Sequence, residues 1–393
     1  MNHRKQVVIT DVGGIKTLLY MKNENIYDIA ADAQNTQALT PGDIYVGRVK
    51  NIVKNINAAF VEVREGVLCY LPLSEERDEK PLRVGDDIII QIKKSAVKEK
   101  QAVGTRFPEL TGRFCIVTTA NSDAGISRKI TDPYIREQLT AVLNYFSEEP
   151  YGIVLRTAAG SVELDTVREE CESLLLLLHE KMAHGAYLSC FSVLHKEAPF
   201  YLRYLRECQD GALDRVITDD EQIYRALEEE YAFLKLASPP ELTLYTDDSF
   251  PLDKMLGITT KMKKALEKRV WLKSGANLVI EPTEALTVID VNTGKAVDGR
   301  RKKETTFFKV NCEAAKEAAR QIRMRGISGI IIIDFIDMHD KKNQKDLMDL
   351  LQSELKKDPI KTVLMDITRL GLVEITRMKK SPPIWEIYKN GLT

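Results

Sequence analysis

Alternating and helically spaced apolar residues divide the chain into segments of different character. Near the N-terminus the β-rich runs VVIT and KTLLYM flank Asp11-Val12-Gly13-Gly14. Gly-Gly supplies the positive φ angles of a tight turn, so residues 6–21 read as a hairpin. A hairpin that small is not stable alone and is expected to pair with a later segment. From Thr40 short strands follow at regular spacing, GDIYVGRVKNI, NAAFVEV, GVLCYLPL and GDDIIIQIKK. Turn residues separate them, which predicts a small antiparallel barrel. The segment LTGRFCIVTTANSDAGISRKI is strand-like and turn-rich. It leads to a predicted helix at about 133–147, a strand at 152–160 and a long helix from Asp165 to about Met182. The run Leu174–Leu178 lies in that helix and is far shorter than the ~20 residues of a membrane span.

Residues 196–236 read as helical and highly charged, and Pro239-Pro240 ends them. ELTLYTDD reads as a strand. LVI and ALTVIDVN read as two strands around the Glu281-Pro282-Thr283-Glu284 turn. A helix is expected over about 305–325, where Ala314, Ala315, Ala318, Ala319 and Ile322 fall at helical spacing, with Gly326 as its stop. The apolar run Ile330–Ile333 predicts a strand buried on both faces, ending in Asp334. A charged helix at 340–357 and the strand TVLMDIT complete an α/β layer. No internal repeat is present.

A length of 393 residues implies two to four domains. The net charge is −1, from 57 basic and 58 acidic residues. That average disfavours a uniformly basic surface, yet leaves room for local basic grooves and for acidic metal ligands. In the barrel segment Tyr45, Phe60 and Tyr70 interleave with Arg48, Lys50, Lys54 and Arg64. This is the pattern of stacking platforms in a positive groove, as in an OB-fold that binds RNA. Aromatics all in the core and lysines all in solvent would give the same pattern. Cysteines fall at 69, 115, 171, 190, 208 and 312 with no CxxC pair, so no zinc-site spacing exists and a reduced, cytoplasmic chain is expected. The N-terminus shows no signal peptide.

Candidate chemistry lies in the C-terminal layer. Asp290 and Asn292 are two residues apart in a strand and share a face. Asp334 ends the next buried strand. The carboxyl edge of an α/β sheet is where ligands bind, and two carboxylates plus water and phosphate oxygens suit Mg²⁺. Such an ion could activate water, with Asn292 orienting a carboxylate. Asp337, three residues past Asp334, would point away if the strand continued. The same residues could equally be solvated turn caps.

The segments ALTVIDVNTGK, NCEAAKEAARQIRMRGISGIIIIDFIDM and DITRLGLVEITRMKK resemble the catalytic domain of the RNase E/G family. AAFVEV…GVLCYLPL, GISRKI and VLRTAAG are similar to that family's OB-fold and 5′-end sensor, and the match runs in order along nearly the whole chain. The resemblance implies an α+β multidomain fold. It would comprise a split RNase H-like domain (1–36 and 196–265), an inserted OB-fold RNA-binding barrel (37–111), a 5′-sensor (112–195) and a DNase I-like α/β catalytic domain (266–393). It implies a Mg²⁺-dependent endoribonuclease that leaves 5′-monophosphate products from single-stranded RNA such as rRNA precursors and mRNA. The metal-binding aspartates would be Asp290 and Asp334, with Asn292 orienting them. RNA would be gripped by Phe60, Tyr70 and Lys100, and the 5′-phosphate held by Gly112, Ile116, Arg156 and Thr157.

One departure concerns zinc. The family usually carries a CPxC-type cysteine pair after the catalytic domain, through which two subunits share a zinc ion. Here no cysteine follows Cys312 and no histidine follows His339. No structural zinc is therefore expected. A homodimer would form by packing, with the tail residues Ile384, Trp385, Ile387 and Tyr388 either anchoring it or docking on their own chain. No membrane attachment and no degradosome scaffold are expected. A non-cleaving RNA-binding factor in ribosome assembly is the alternative. It would not need Asp290, Asn292 and Asp334 together. A DNA-acting phosphodiesterase is disfavoured by the RNA-directed character of the resemblance.

Overall fold

The computed structural model describes residues 5–32, 39–73, 82–96, 101–185, 187–207, 213–234, 239–247, 249–293, 300–379 and 381–389. The chain divides into two compact units. One joins Met1–Gln34 to Asp210–Thr393, and the other is Asn35–Gln209.

In Asn35–Gln209, strands Ile44–Val53, Ala58–Arg64, Val67–Pro72, Ala102–Thr105 and Asp87–Lys94 pair in that order, and the last pairs back to the first. The result is a closed five-stranded barrel, which leaves no open edge among its members. Val193–His195 adds to the first strand. Inward positions alternate with outward ones, so Val61, Val63, Cys69, Leu71, Ile90 and Ile92 fill the core. Tyr45 belongs to that core, only 1 % exposed, and its hydroxyl donates to Asp43. It is therefore not a stacking platform. A second sheet follows in the order Ala124–Ile126, Gly152–Leu155, Cys115–Thr118, Glu109–Thr111. Helices Pro133–Tyr145 and Leu164–Gly185 accompany it. The first is capped by Asp132, whose side chain accepts from Tyr134 and Ile135, with proline opening the helix. The leucine run spirals: Leu175 and Leu178 are buried while Leu176 is 72 % exposed.

In the other unit the N-terminal hairpin turns at Gly13 and Gly14, with φ of 61° and 81°. Its first strand, Lys5–Val12, pairs parallel with Arg215–Thr218, so the hairpin does find a distant partner. The five-stranded sheet runs Glu241–Leu244, Arg215–Thr218, Lys5–Val12, Ile15–Lys22, Asn25–Ala31. The expectation of an all-helical 196–236 is corrected. A strand, Arg215–Thr218, separates helices Phe200–Glu207 and Glu221–Leu234. Four residues with isolated β-branched character carry too little periodicity to register against charged flanks.

A six-stranded sheet follows in the order Arg269–Trp271, Asn277–Pro282, Leu286–Asn292, Gly329–Asp334, Val373–Arg377, Thr362–Ile367. Helices Arg300–Met324 and Lys341–Leu355 pack on one face through Ala314, Ala318, Ile322, Leu347 and Leu351 against Ile289, Ile331, Ile333 and Ile375. Gly326 ends the long helix in the left-handed region at φ 65°, with Ile327 N–H donating to Ile322 O. Ile330 is 49 % exposed while Ile331 and Ile333 are fully buried, so the strand is not buried on both faces as expected. Among the described residues the two helices that pack on this sheet share one face, and even-numbered positions of the strand lie on the other. A buried Arg377–Asp358 pair ties the sheet together, with the Arg377 Nη1 also donating to Ile327 O.

The tail docks on its own chain. Ile384 and Tyr388 are buried with Val8, Leu19 and Met324, and the Tyr388 and Thr17 hydroxyls are hydrogen-bonded. These two residues are therefore not free to anchor a dimer. Among the described residues no helix is long and apolar enough to cross a membrane.

Candidate active site and phosphate pocket

The parallel pairing of Leu286–Asn292 with Gly329–Asp334 places Asp290 directly beside Asp334. In the first strand Thr287, Ile289 and Val291 are buried, whereas Val288, Asp290 and Asn292 take the opposite, more open face. Asp334 lies on that same face, in step with Ile330 and Ile332. Asn292 Nδ2 donates to Asp290 Oδ2 at 2.6 Å, which leaves the other carboxylate oxygen for a further partner. Although Asp334 is exposed, local burial at the strand end and then the charges of Asp290 and Asp337 raise its pKa. Two carboxylates in one row thus repel each other, and a cation between them would relieve that repulsion.

The strand stops at Asp334, so the extrapolation that turned Asp337 away does not apply. Its charge reaches Asp334 instead. Two residues that sequence reasoning missed hold the following segment. Asn311, fully buried on the long helix, donates to Ile336 O at 2.8 Å and accepts from Ile336 N at 3.1 Å. Glu304 accepts from His339 N and Asp340 N, both at 3.0 Å. Asn311 could have been noticed as a polar residue on the apolar stripe of Ala315, Ala318 and Ile322. Among the described residues no group of three or more His, Cys, Asp or Glu side chains is arranged to hold a metal ion. The donors on offer are the two oxygen-bearing carboxylates of Asp290 and Asp334.

On the barrel Phe60 and Tyr70 are opposite each other in register, half-exposed, with edge-to-face rings 5.9 Å apart. Pairing extends the row to Asn51 on one side, and through Val103 to exposed Lys94 on the other. The expected basic groove is weaker than its composition. Arg48 forks onto Asp87 at 2.7 and 2.9 Å, and Lys50 pairs with Glu62 at 2.9 Å. Lys100 lies outside the described residues.

The remaining candidates sit on the small sheet. Arg156 Nη1 donates to Gly112 O, and the Thr157 hydroxyl shares a 2.9 Å hydrogen bond with Ser127. Ile116 is half-buried on the adjacent strand, opposite Val154 and Thr111. Gly112 and Arg156 line a common cavity with Thr111, whereas Ile116 and Thr157 do not reach it. The turn is organised by Glu170, a third residue missed from sequence and only 5 % exposed. It accepts from the backbone N–H groups of Arg113, Phe114 and Cys115 at 2.8, 2.6 and 3.0 Å. A Cβ on residue 112 would lie 2.6 Å from the Glu170 carboxylate, so glycine is required there. Nothing in a helical run of acidic residues marks Glu170 as the buried one except its spacing with Val167 and Cys171.

Comparison with known proteins covers the same ground. A model of the Ribonuclease E/G family matches residues 109–380. Ribonuclease G of Haemophilus influenzae is 31 % identical over 356 residues, covering 86 % of this chain and 72 % of that protein. Ribonuclease G of Escherichia coli K12 is 32 % identical over 367 residues, covering 89 % of this chain and 75 % of that protein. Ribonuclease E of a Nostoc species is 28 % identical over 397 residues, covering 98 % of this chain and 57 % of that protein.

Proposed function

The chain belongs to the ribonuclease E/G family and is an endoribonuclease of that type; on that premise we propose that it cleaves single-stranded RNA by Mg²⁺-dependent hydrolysis. A role in RNA processing or decay follows from the family, and rRNA precursors and mRNA are the proposed substrates. Water adds its oxygen to phosphorus, and the bond from phosphorus to the 3′ oxygen breaks. The products are a 5′-monophosphate and a 3′-hydroxyl.

The observation that carries this reading is the register of Asp290 with Asp334 on an open sheet face, with Asn292 bonded to Asp290. An all-oxygen, doubly negative pair fits a hard divalent cation. Asp290 and Asp334 would hold Mg²⁺, and Asn292 keeps the Asp290 carboxylate in one orientation. When bound, the ion supplies Lewis acidity toward phosphate oxygens and acidifies water. Asp337 contributes field rather than ligation.

The rest of the chain binds RNA in this reading. Phe60 and Tyr70 stack bases, Lys94 and Lys100 meet phosphates, and Gly112, Ile116, Arg156 and Thr157 take a 5′-monophosphate. The closed barrel supports an OB-fold over 37–111, followed by a 5′-sensor at 112–195. The five-stranded sheet, antiparallel on one side and parallel on the other, supports a split RNase H-like domain over 1–36 and 196–265. A sheet with helices on one face supports a DNase I-like domain over 266–393. The protein is proposed to act in the cytoplasm and, where it forms a homodimer, to do so by packing.

The test is cleavage of a 5′-monophosphorylated single-stranded oligoribonucleotide with and without Mg²⁺. Asp290→Asn or Asp334→Asn is expected to lose about 10²-fold or more in rate, the scale of one preorganised charge-stabilising group. RNA affinity should persist, and Asp337→Asn should be milder. Near wild-type turnover in either aspartate variant would remove the assignment.

A further inference from the structure

The cavity beside Gly112 and Arg156 has walls that 5′-monophosphate recognition does not use. Its volume is about 270 Å³, just under the roughly 300 Å³ at which clefts for small molecules begin. That suits a phosphate group with part of its sugar. Its lining carries the cations Lys93, Arg156, Arg203 and Arg206 against the carboxylates Glu109 and Glu197. Lys93 comes from the barrel strand Asp87–Lys94. Arg203 and Arg206 are three residues apart on the helix Phe200–Glu207, so they present one face. Gln91 makes the wall rigid: buried, it donates to Gly42 O and Glu109 O at 3.0 and 2.7 Å and accepts from Glu109 N at 2.8 Å.

Two observations point to an anion here. Cations outnumber carboxylates on the lining, and Glu197 lies in the field of both Arg203 and Arg206. In addition, the Arg203 Nε is buried and has no hydrogen-bond partner among the described residues. A buried, charged donor left unmet is costly, and such groups are commonly completed by a ligand, ion or water. Guanidinium forks match the geometry of phosphate oxygens.

We propose that this cavity, whose Gly112 and Arg156 wall belongs to the proposed 5′-monophosphate pocket, takes a second phosphate group on its other wall, held by Arg203 and Arg206 with Lys93. The group is either an internucleotide phosphodiester near the RNA 5′ end or a free phosphate-bearing small molecule. The RNA source rests on the proposed reading of this unit as a 5′-end binder, whereas the free-phosphate source does not.

The experiment uses the full chain in chelator, so that binding is read without cleavage. Three probes are titrated: 3′-dye-labelled oligoribonucleotides with 5′-monophosphate or 5′-hydroxyl ends, followed by anisotropy, and inorganic phosphate alone, followed by calorimetry. Loss of charge-assisted hydrogen bonds in Arg203→Gln/Arg206→Gln should weaken binding by about 10- to 100-fold. If the phosphate comes from RNA, both oligonucleotides weaken alike and inorganic phosphate gives no heat. If it is a free anion, inorganic phosphate binds the wild type and not the variant. Arg156→Ala should weaken only the 5′-phosphorylated RNA. Equal wild-type affinity for the two RNA ends would defeat the 5′-end reading, yet a weakened arginine variant would still uphold this cavity. A double variant that melts like the wild type and binds all three probes unchanged overturns the proposal. Should that variant not fold, Lys93→Glu on the exposed rim replaces it, with a loss of roughly threefold or more expected and unchanged binding counting against the site.

Discussion

Glu170→Gln keeps the volume of a buried side chain and removes its capacity to accept three hydrogen bonds. One carboxylate oxygen accepts from Arg113 N, and the other accepts from Phe114 N and Cys115 N. A glutamine has one acceptor oxygen and turns an NH₂ group toward the remaining donors. At best it retains the Phe114 and Cys115 bonds, loses charge assistance in both, and faces Arg113 N–H with a donor. Hydrogen bonds to a charged group contribute about 1.5–3 kcal/mol each, so a loss of about 2–4 kcal/mol is expected. For a domain of 150–250 residues each kcal/mol shifts the midpoint by about 2–4 °C. The transition of the unit holding the barrel should therefore fall by roughly 4–16 °C in a calorimetric scan. Because the same turn presents Gly112 to Arg156, discrimination between 5′-monophosphate and 5′-hydroxyl RNA should fall in folded protein below the transition, while Mg²⁺-dependent cleavage of the 5′-hydroxyl substrate persists. An unchanged midpoint with unchanged discrimination would refute the role of Glu170 as organiser of the turn.

Further expectations concern other positions. Asn311→Leu removes both hydrogen bonds to Ile336, and should raise the Mg²⁺ concentration for half-maximal cleavage by about 10-fold, as outer-shell changes do; an unaltered Mg²⁺ titration would separate Asn311 from the site. Phe60→Ala should weaken single-stranded RNA binding by about 1–3 kcal/mol if a base stacks there, read by anisotropy, and a folded variant with full affinity would make Phe60 a packing residue of the barrel. Asp358→Asn leaves Arg377 buried without its carboxylate. Urea unfolding should report a loss of about 3–5 kcal/mol, and a loss under about 1 kcal/mol would show that the arginine finds another partner.

Some of this protein is legible in residue order because it depends on local period and local turn chemistry. Gly13-Gly14 permits a hairpin wherever the hairpin ends up. Alternation puts Asp290 and Asn292 on one face of their strand without knowledge of any neighbour. Helical spacing of alanines marks the long helix, and a glycine at 326 stops it because only that residue enters the left-handed region without cost. What the tertiary structure decided are relations between segments far apart in the chain. The register of Leu286–Asn292 against Gly329–Asp334 sets Asp290 beside Asp334, and no single-strand pattern contains a register. Packing of the two helices on a shared face leaves Ile330 exposed and Asp334 on an open surface. The partner of Lys5–Val12 is a four-residue strand some two hundred positions on, too short to announce itself. Glu170 and Asn311 look like ordinary polar residues in charged helices, and only burial, with backbone donors converging on them from elsewhere, makes them structural. Period is a property of a segment, whereas burial and pairing are properties of the assembled chain, and the charge of a buried group is affordable only where that assembly supplies its partners.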